Sequence, residues 1–173
     1  MDLSKHCNLC DNQKVDFKKG TTCALTNRKP EFNNTCAKIE LNEKFEGKVK
    51  EVNIRYQKAN RAKAVTYSYF IIFAIIGISV MVGGFLLGKY IFEGGVISAI
   101  PIIIMAAGLG PIGMAFGALN NHRNELKIAK SQKDMVDDVL NLYRINYDIN
   151  IKFGKEYHGD QDVYVDLQTK GVR

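Results

Sequence analysis

The sequence predicts a mainly α-helical membrane protein with a small cysteine-rich module before the membrane segment and a β-hairpin after it. Three observations lead to this fold class. Of the 24 Lys and Arg and the 18 Asp and Glu side chains, residues 64–119 hold only Lys89 and Glu93. All four cysteines fall within the first 36 residues. After residue 146, apolar and polar residues alternate along two short runs, as they do in half-buried strands.

The amino-terminal module, residues 1–38, is predicted to bind a metal ion through Cys7, Cys10, Cys23 and Cys36. A C-x2-C pair presents two thiolates to one tetrahedral ion, and the two later cysteines could complete a four-thiolate site. Zinc suits such a site, and an iron–sulfur cluster that uses the same ligands stays an alternative. A segment this short has few large apolar residues, so it needs a cross-link in order to fold. Binding of a structural zinc ion supplies this cross-link and contributes folding free energy.

Free or disulfide-linked cysteines, or a redox-active pair, are the competing interpretations of this module. Disulfides suit an oxidising compartment, whereas the charge distribution described below places the module in the cytoplasm, where thiols stay reduced. A thioredoxin-like pair requires a strand before the C-x2-C turn, and residues 2–6 do not have the sequence pattern of a strand. His6, which precedes Cys7, is interpreted as a flanking polar residue. A structural zinc site is therefore the preferred prediction.

The cysteine spacing resembles that of a short module found at the start of many uncharacterised membrane proteins of Bacteroidetes. The shared pattern is C-x2-C, then G-x2-C-x-L-T, then K-P-x-F-x3-C. The matching residues are Cys7, Cys10, Gly20, Cys23, Leu25, Thr26, Lys29, Pro30, Phe32 and Cys36. The match covers only about the first 36 residues, and Ala37, Lys38 and Ile39 stand where an aromatic residue usually follows the last cysteine. The resemblance implies a zinc-ribbon-like module and implies no reaction.

Two uncharged runs, residues 64–88 and 95–119, are predicted to cross a membrane as a helical hairpin. About 23 helical residues cover roughly 34 Å, which is enough for a hydrocarbon core of about 30 Å. The turn from Lys89 to Glu93 is too short for anything but antiparallel helices. Small residues four positions apart are predicted to pack the two helices together, with a dedicated oligomer contact as the alternative. They are Gly84 and Gly88, Ser79 and Gly83, and Gly113 and Gly117.

Basic residues near the ends of the spans predict the orientation in the membrane. Eleven lie before the first span or after the second, against Lys89 alone in the turn. The positive-inside rule then places both termini in the cytoplasm, as in a multi-pass protein of a bacterial inner membrane. The same distribution accounts for the net charge of +6, so no nucleic-acid partner is expected. The eleven are Lys44, Lys48, Lys50, Arg55, Lys58, Arg61, Lys63, Arg123, Lys127, Lys130 and Lys133.

The flanking segments, residues 39–63 and 120–146, are predicted to continue the spans as amphipathic cytoplasmic helices. Their apolar residues recur at intervals of three and four, as in a coiled-coil seam that Lys133 alone interrupts. Matched lengths favour an antiparallel stalk over two helices lying on the membrane surface. The seam positions are Leu41, Phe45, Val49, Val52, Tyr56 and Ala59, then Leu126, Ala129, Lys133, Val136, Leu140 and Tyr143.

The carboxyl-terminal segment, residues 147–173, is predicted to form a β-hairpin with its loop over Gly154 to Asp160. A lone hairpin is only marginally stable, so it is expected to add its strands to the cysteine module in one composite head. His158, Asp160 and Asp162 are interpreted as a polar loop rather than as a metal or acid–base group.

The sequence predicts a non-enzymatic role, because it contains no motif for nucleotide, hydrolase or metalloprotease chemistry. The preferred function is an inner-membrane anchor, adaptor or assembly subunit that presents the zinc-ribbon head to a protein partner. The alternatives are a homo-oligomeric pore or transport subunit, and a redox or metal sensor that uses the four cysteines. No ionisable residue lies at membrane depth, which disfavours ion-coupled transport. No small-molecule substrate is indicated.

Overall fold

The computed structural model describes residues 3–91, 98–157 and 160–171, and the chain divides into two units. The head unit comprises Met1–Gln57 and Ile128–Arg173, and the apolar unit comprises Lys58–Lys127. The chain is mostly helical, with two long apolar helices and a carboxyl-terminal two-stranded sheet, as predicted. In chain order the elements are α1 (Ser4–Cys7), β1 (Gln13–Asp16), β2 (Gly20–Cys23), α2 (Glu43–Tyr90), α3 (Ala99–Leu142), β3 (Asn146–Tyr157) and β4 (Asp160–Lys170).

Each predicted flanking helix is continuous with its predicted span. The helix α2 is 48 residues long and α3 is 44 residues long. The first of them begins at Glu43 rather than at residue 39, and Glu43 and Glu46 place negative charge in the first turn, where the helix dipole favours it. Residues 95–97, the predicted start of the second span, lie outside the described residues.

The end of α3 at Leu142, before the predicted residue 146, has a local cause. Arg144 has a φ of 56°, which takes the chain out of the helix. The N–H of Ile145 donates to the carbonyl of Leu140 over 3.0 Å, and the N–H of Arg144 donates to that of Asn141 over 3.1 Å. These two bonds make a Schellman motif, which satisfies carbonyls that the helix end would leave unpaired.

The core of the head unit follows the predicted seam. Seven of the twelve seam positions are buried and the other five are half-buried. Leu9 of the cysteine module joins this core, with only 1% of its surface exposed. The core cluster consists of Leu9, Leu41, Phe45, Val49, Val52, Val136, Val139, Leu140 and Ile145. One apolar core therefore holds together the module, the two helices and Ile145 of the Schellman motif.

The four described strands form two separate antiparallel sheets, one of β1 with β2 and the other of β3 with β4. The expectation that the tail adds strands to the cysteine module is therefore wrong. Among the described residues β3 pairs with β4 alone, from Asn146 opposite Lys170 to Tyr157 opposite Asp160, and β1 pairs with β2 alone. These strands also extend into the predicted loop, with a register shift between Phe153 and Glu156.

Most of the predicted loop from Gly154 to Asp160 is therefore part of β3 and β4. His158 lies outside the described residues, as does the side chain of Asp160. Asp162 is an exposed residue within β4, where it faces away from the half-buried side of the sheet. Alternating exposure along both strands confirms the predicted two-residue periodicity.

In the apolar unit, α2 and α3 lie against each other at glycines. A Cβ atom on Gly77 would lie 2.5 Å from Cγ1 of Ile112 and 2.6 Å from the carbonyl oxygen of Gly108. A Cβ on Gly108 would lie 2.7 Å from the carbonyl oxygen of Gly77. Backbones at this distance exclude any side chain, which is how small residues pack helices in lipid.

The predicted packing glycines are only partly those that the structure uses. A Cβ on Gly84 would come within 3.0 Å of Ile104 and Met105, so Gly84 belongs to the contact. A Cβ on Gly83, Gly113 or Gly117 would meet no described atom within 4 Å. Gly77 and Gly84 are seven residues apart and share one helix face, whereas Gly83 is turned about 100° away from it. Periodicity within one helix does not reveal which face its partner covers.

Two helices are long and apolar enough to cross a membrane. Only 11% of the most apolar window of α2, and 17% of that of α3, is buried. A core helix of a water-soluble protein would be mostly buried. The exposed apolar side chains of this unit, with Ile75 at 59% and Ile103 at 66%, are compatible with contact to lipid.

Candidate metal centre

The four cysteines line one cavity in the head unit, with a volume of about 620 Å³. Cys7 is the last residue of α1, and Cys10 follows it after a turn. Cys23 is the last residue of β2, and Cys36 lies in the irregular segment that leads to α2. All four are free thiols, and each lies in the described part of the chain. The fold therefore collects thiols from three separate places in the sequence around one space.

Backbone hydrogen bonds within the module shape the C-x2-C turn. The N–H of Cys10 donates to the carbonyl of Cys7 over 3.0 Å, and the N–H of Gln13 donates to the carbonyl of Cys10 over 3.2 Å. The N–H of Glu40 donates to Sγ of Cys10 over 3.5 Å. An amide that points at a cysteine sulfur stabilises negative charge on it, as the outer shell of a thiolate metal site does.

Cys23 is held by a second turn. Its N–H donates to the carbonyl of Arg28 over 2.9 Å, and its carbonyl accepts the N–H of Asn27 over 2.7 Å. Asn27 has a φ of 52°, in the left-handed region that asparagine tolerates better than most residues. This tight turn brings the chain back after β2 and directs it towards Cys36.

Cys36 is fixed by a side chain from the far end of the sequence. Its N–H donates to the hydroxyl oxygen of Tyr143 over 2.8 Å. Nδ1 of His6 shares a hydrogen bond with the same hydroxyl over 3.1 Å. Tyr143 lies just after the last residue of α3, so it fastens two separate parts of the module to the end of that helix.

His6 has a larger part in the site than the sequence suggested. It is 1% exposed and lines the cavity beside the cysteines. Its ring packs edge-to-face on both Phe32 and Tyr143, with centroid distances of 5.1 and 5.6 Å. The interpretation of His6 as a flanking polar residue is therefore wrong, because the four-residue helix α1 turns it inward onto these two rings.

The electrostatics of the cavity favour the neutral thiol of Cys7 in the absence of a cation. Burial raises the pKa of Cys7, and the charges of Cys10, Cys23 and Cys36 raise it further. Lys44 opposes this shift. Its own pKa is lowered by burial, although nearby thiolate and carboxylate charges act in the other direction. A cation among these sulfurs would relieve their mutual repulsion and favour the thiolate forms.

The donor set fits a soft metal ion. Four thiols line the cavity, and Nδ2 of Asn12, which lines it too, is buried without a hydrogen-bond partner in the described part of the chain. An N–H donor of this kind suits a thiolate-rich centre, which accepts N–H···S bonds. As they stand, no three His, Cys, Asp or Glu side chains among the described residues are grouped to hold an ion. Occupation by a metal therefore requires the sulfurs to draw together.

A second polar cluster, which sequence reasoning missed, joins β3 to the helices of the head unit. The hydroxyl of Tyr147 donates to Oδ1 of Asp137 over 2.6 Å and accepts from Nδ2 of Asn53 over 3.1 Å. Nζ of Lys133 donates to the same hydroxyl over 3.1 Å and pairs with Asp137. Lys133 is the residue that interrupts the apolar seam, and this interruption was the only signal in the sequence that a polar contact forms here.

Comparison with protein-family models, with curated proteins and with solved structures finds no match for this chain. The resemblance of residues 1–36 to a module of Bacteroidetes membrane proteins therefore stays a prediction.

Proposed function

We propose that this chain is a membrane anchor or adaptor, an assembly subunit whose cysteine-containing head is offered to a protein partner. In this proposal α2 and α3 cross a bacterial inner membrane as a hairpin. The eleven basic residues at their outer ends, against Lys89 in the turn, favour a cytoplasmic head.

The observation that carries the proposal is the way in which the cysteine module packs. Leu9 lies in one core with Phe45 and Leu140, residues of the same two helices that continue as the apolar unit. The module is thus not a separate domain joined to the helices by a linker. It shares its core with the helices that would anchor it, as expected of a subunit that holds a binding surface at a membrane.

A structural zinc is part of the proposal, held by Cys7, Cys10, Cys23 and Cys36. Zinc bound by four thiolates supplies a cross-link and no open coordination position for catalysis. Between these cysteines, regular backbone hydrogen bonding between strands is limited to the four-residue strands β1 and β2. A cross-link would therefore add stability where the apolar core contributes least.

Two measurements on the full chain in its native membrane test this function. The first is orientation, read by protease digestion of spheroplasts with epitope tags at the amino terminus, after Tyr90 and at the carboxyl terminus. We expect only the tag after Tyr90 to be cleaved from outside. Cleavage of either terminal tag would contradict a cytoplasmic head.

The second measurement is cross-linking in membranes followed by purification in mild detergent. We expect a protein partner to be retained by the wild type and by Val15→Thr, whose side chain is 71% exposed, and to be lost from the double variant Cys7→Ser/Cys10→Ser. A partner retained equally by all three would show that the head is not the presented surface. A purified homo-oligomer that conducts ions after reconstitution would replace the adaptor with a pore.

A further inference from the structure

The cysteines differ in what fixes their backbone, and Cys36 is the exception. The amides of Cys10 and Cys23 donate to carbonyls inside the module, those of Cys7 and Arg28. The amide of Cys36 donates instead to the side chain of Tyr143, 107 residues further along the chain. The segment around Cys36 contains neither helix nor strand that could hold it in place.

We infer that Tyr143 is a positioning residue of the metal centre, which holds Cys36 in place for the ion through its hydroxyl group. This inference rests on the proposed metal site. Tyr143 is not proposed as a metal ligand itself, because its hydroxyl group is already hydrogen-bonded to the Cys36 amide and to His6. Its role corresponds to that of outer-shell groups, which orient ligands and are nearly as important as the ligands for affinity.

The surroundings of the hydroxyl support this role. Tyr143 packs against the core cluster of the head unit, and its ring lies against that of His6. The hydroxyl oxygen accepts the N–H of Cys36, which leaves the hydroxyl hydrogen to be shared with Nδ1 of His6. The Schellman motif at Arg144 and Ile145 fixes the helix end next to it. A hydroxyl held from two sides in this manner is pre-organised, and the ligand that it fixes loses little freedom when an ion binds.

A reciprocal consequence follows from linkage. If the Tyr143 hydroxyl raises the affinity of the module for the metal by some factor, the metal strengthens the contact between module and helix end by the same factor. Metal occupancy would thereby govern how firmly the cysteine module is attached to α3. The hydroxyl of one tyrosine would connect the amino-terminal site with the carboxyl-terminal half of the chain.

The test is a metal titration of the full chain in detergent, with Tyr143→Phe compared with Tyr147→Phe. Both variants lose one hydroxyl of a half-buried tyrosine and keep the ring, and the two positions are four residues apart. Tyr147 bonds to Asn53, Lys133 and Asp137 and to no residue of the module in the described contacts. Cobalt(II) serves as the spectroscopic probe, and zinc affinity is then measured by competition with a chelator.

We expect Tyr143→Phe to weaken zinc binding by about 10- to 100-fold while the thiolate–cobalt absorption of the loaded protein keeps its shape. Tyr147→Phe should lose stability and retain the wild-type affinity. His6→Phe combined with Tyr143→Phe should be less than additive, because both substitutions act on the same hydroxyl.

The outcomes separate this inference from the proposed function. If wild type binds neither cobalt nor zinc, the metal site itself is wrong, and the role of Tyr143 falls with it. If wild type binds metal and the two tyrosine variants have equal affinities, the metal site stands and the positioning role is wrong. A changed cobalt spectrum in Tyr143→Phe would also contradict the inference, since it would mean that a ligand had been exchanged.

Discussion

The two units of this chain place their large apolar side chains in opposite ways. In the head unit, Val49 and Phe45 are at most 1% exposed, and charged residues lie outside. In the apolar unit, the most buried positions include Ala115 and the glycines of the helix contact, whereas isoleucines such as Ile75 and Ile103 are more than half exposed. Exposed apolar surface of this kind is compatible with contact to lipid.

This contrast indicates which force holds each unit together. The head unit excludes apolar surface from water, so its stability comes mainly from buried side-chain area. In the proposed membrane location, the apolar unit would gain nothing from burying isoleucine, so close backbone packing would hold its helices together. The same pair of helices passes from one regime to the other along its length.

The largest effect is expected from removing a large side chain of the head core. Phe45→Ala should lower the free energy of unfolding of the head unit by about 3–5 kcal/mol, because it removes a buried ring and leaves a cavity. Hydrogen exchange of head-unit amides, measured by mass spectrometry, reports this loss. Phe17, which is fully exposed, provides the matched control, and Phe17→Ala should change the free energy by less than about 0.5 kcal/mol. Equal effects at the two positions would contradict the described core.

In the apolar unit, adding a methyl group should be destabilising, whereas in the head unit the destabilising change removes a side chain. Gly77→Ala adds one methyl group where the backbone of α3 leaves no room, and we expect a loss of about 1–3 kcal/mol. Gly113→Ala adds the same methyl group where no described atom lies within 4 Å, so it should be neutral or slightly stabilising. Reversible unfolding in mixed detergent micelles measures both. A larger loss at Gly113 than at Gly77 would place the helix contact on the wrong face.

Loss of one hydroxyl tests the polar contact that joins β3 to the helices. Tyr147→Phe leaves Asp137 without its 2.6 Å donor, so we expect a loss of about 1–3 kcal/mol and faster amide exchange along β3. Tyr164→Phe, on an exposed position of β4, is the control and should have no measurable effect. If exchange along β3 were the same in both variants, the cluster would not anchor the sheet.

The smallest effect is expected at the surface of the head unit. Lys48 and Glu51 form an ion pair of 2.8 Å in which both side chains are well exposed to water. Water screens such pairs, so Glu51→Gln should change the free energy of unfolding by no more than about 0.5 kcal/mol. Chemical denaturation at low and at high salt measures this difference, and a loss above 1 kcal/mol would show that the pair is less exposed than described.

Patterns that repeat along the chain were read correctly from the sequence. The seam of three- and four-residue intervals marks the core of the head unit, and the alternation after residue 146 marks β3 and β4. Both depend on which face of an element is covered, and hydrophobic periodicity records that directly. The long uncharged runs likewise predicted the apolar stretches of α2 and α3.

Contacts between distant residues could not be read in this way. Nothing near Tyr143 in the sequence indicates that it bonds to Cys36, because a single hydroxyl contact leaves no periodic trace. The choice of Gly77 and Gly108 over Gly113 depends on how one helix is rotated against the other. The lengths of β3 and β4 were underestimated because Gly154 and the polar residues after it resembled a loop.

The most direct test of the proposed four-thiolate centre is the metal content of the full chain, purified in detergent and measured by elemental mass spectrometry. We predict one zinc per chain in the wild type and in Phe17→Ala. Cys7→Ser, Cys10→Ser, Cys23→Ser and Cys36→Ser should each bind it far more weakly. Zinc retained after all four cysteines are replaced, or no metal bound by the wild type at equimolar zinc, would contradict a four-thiolate centre in the head of this protein.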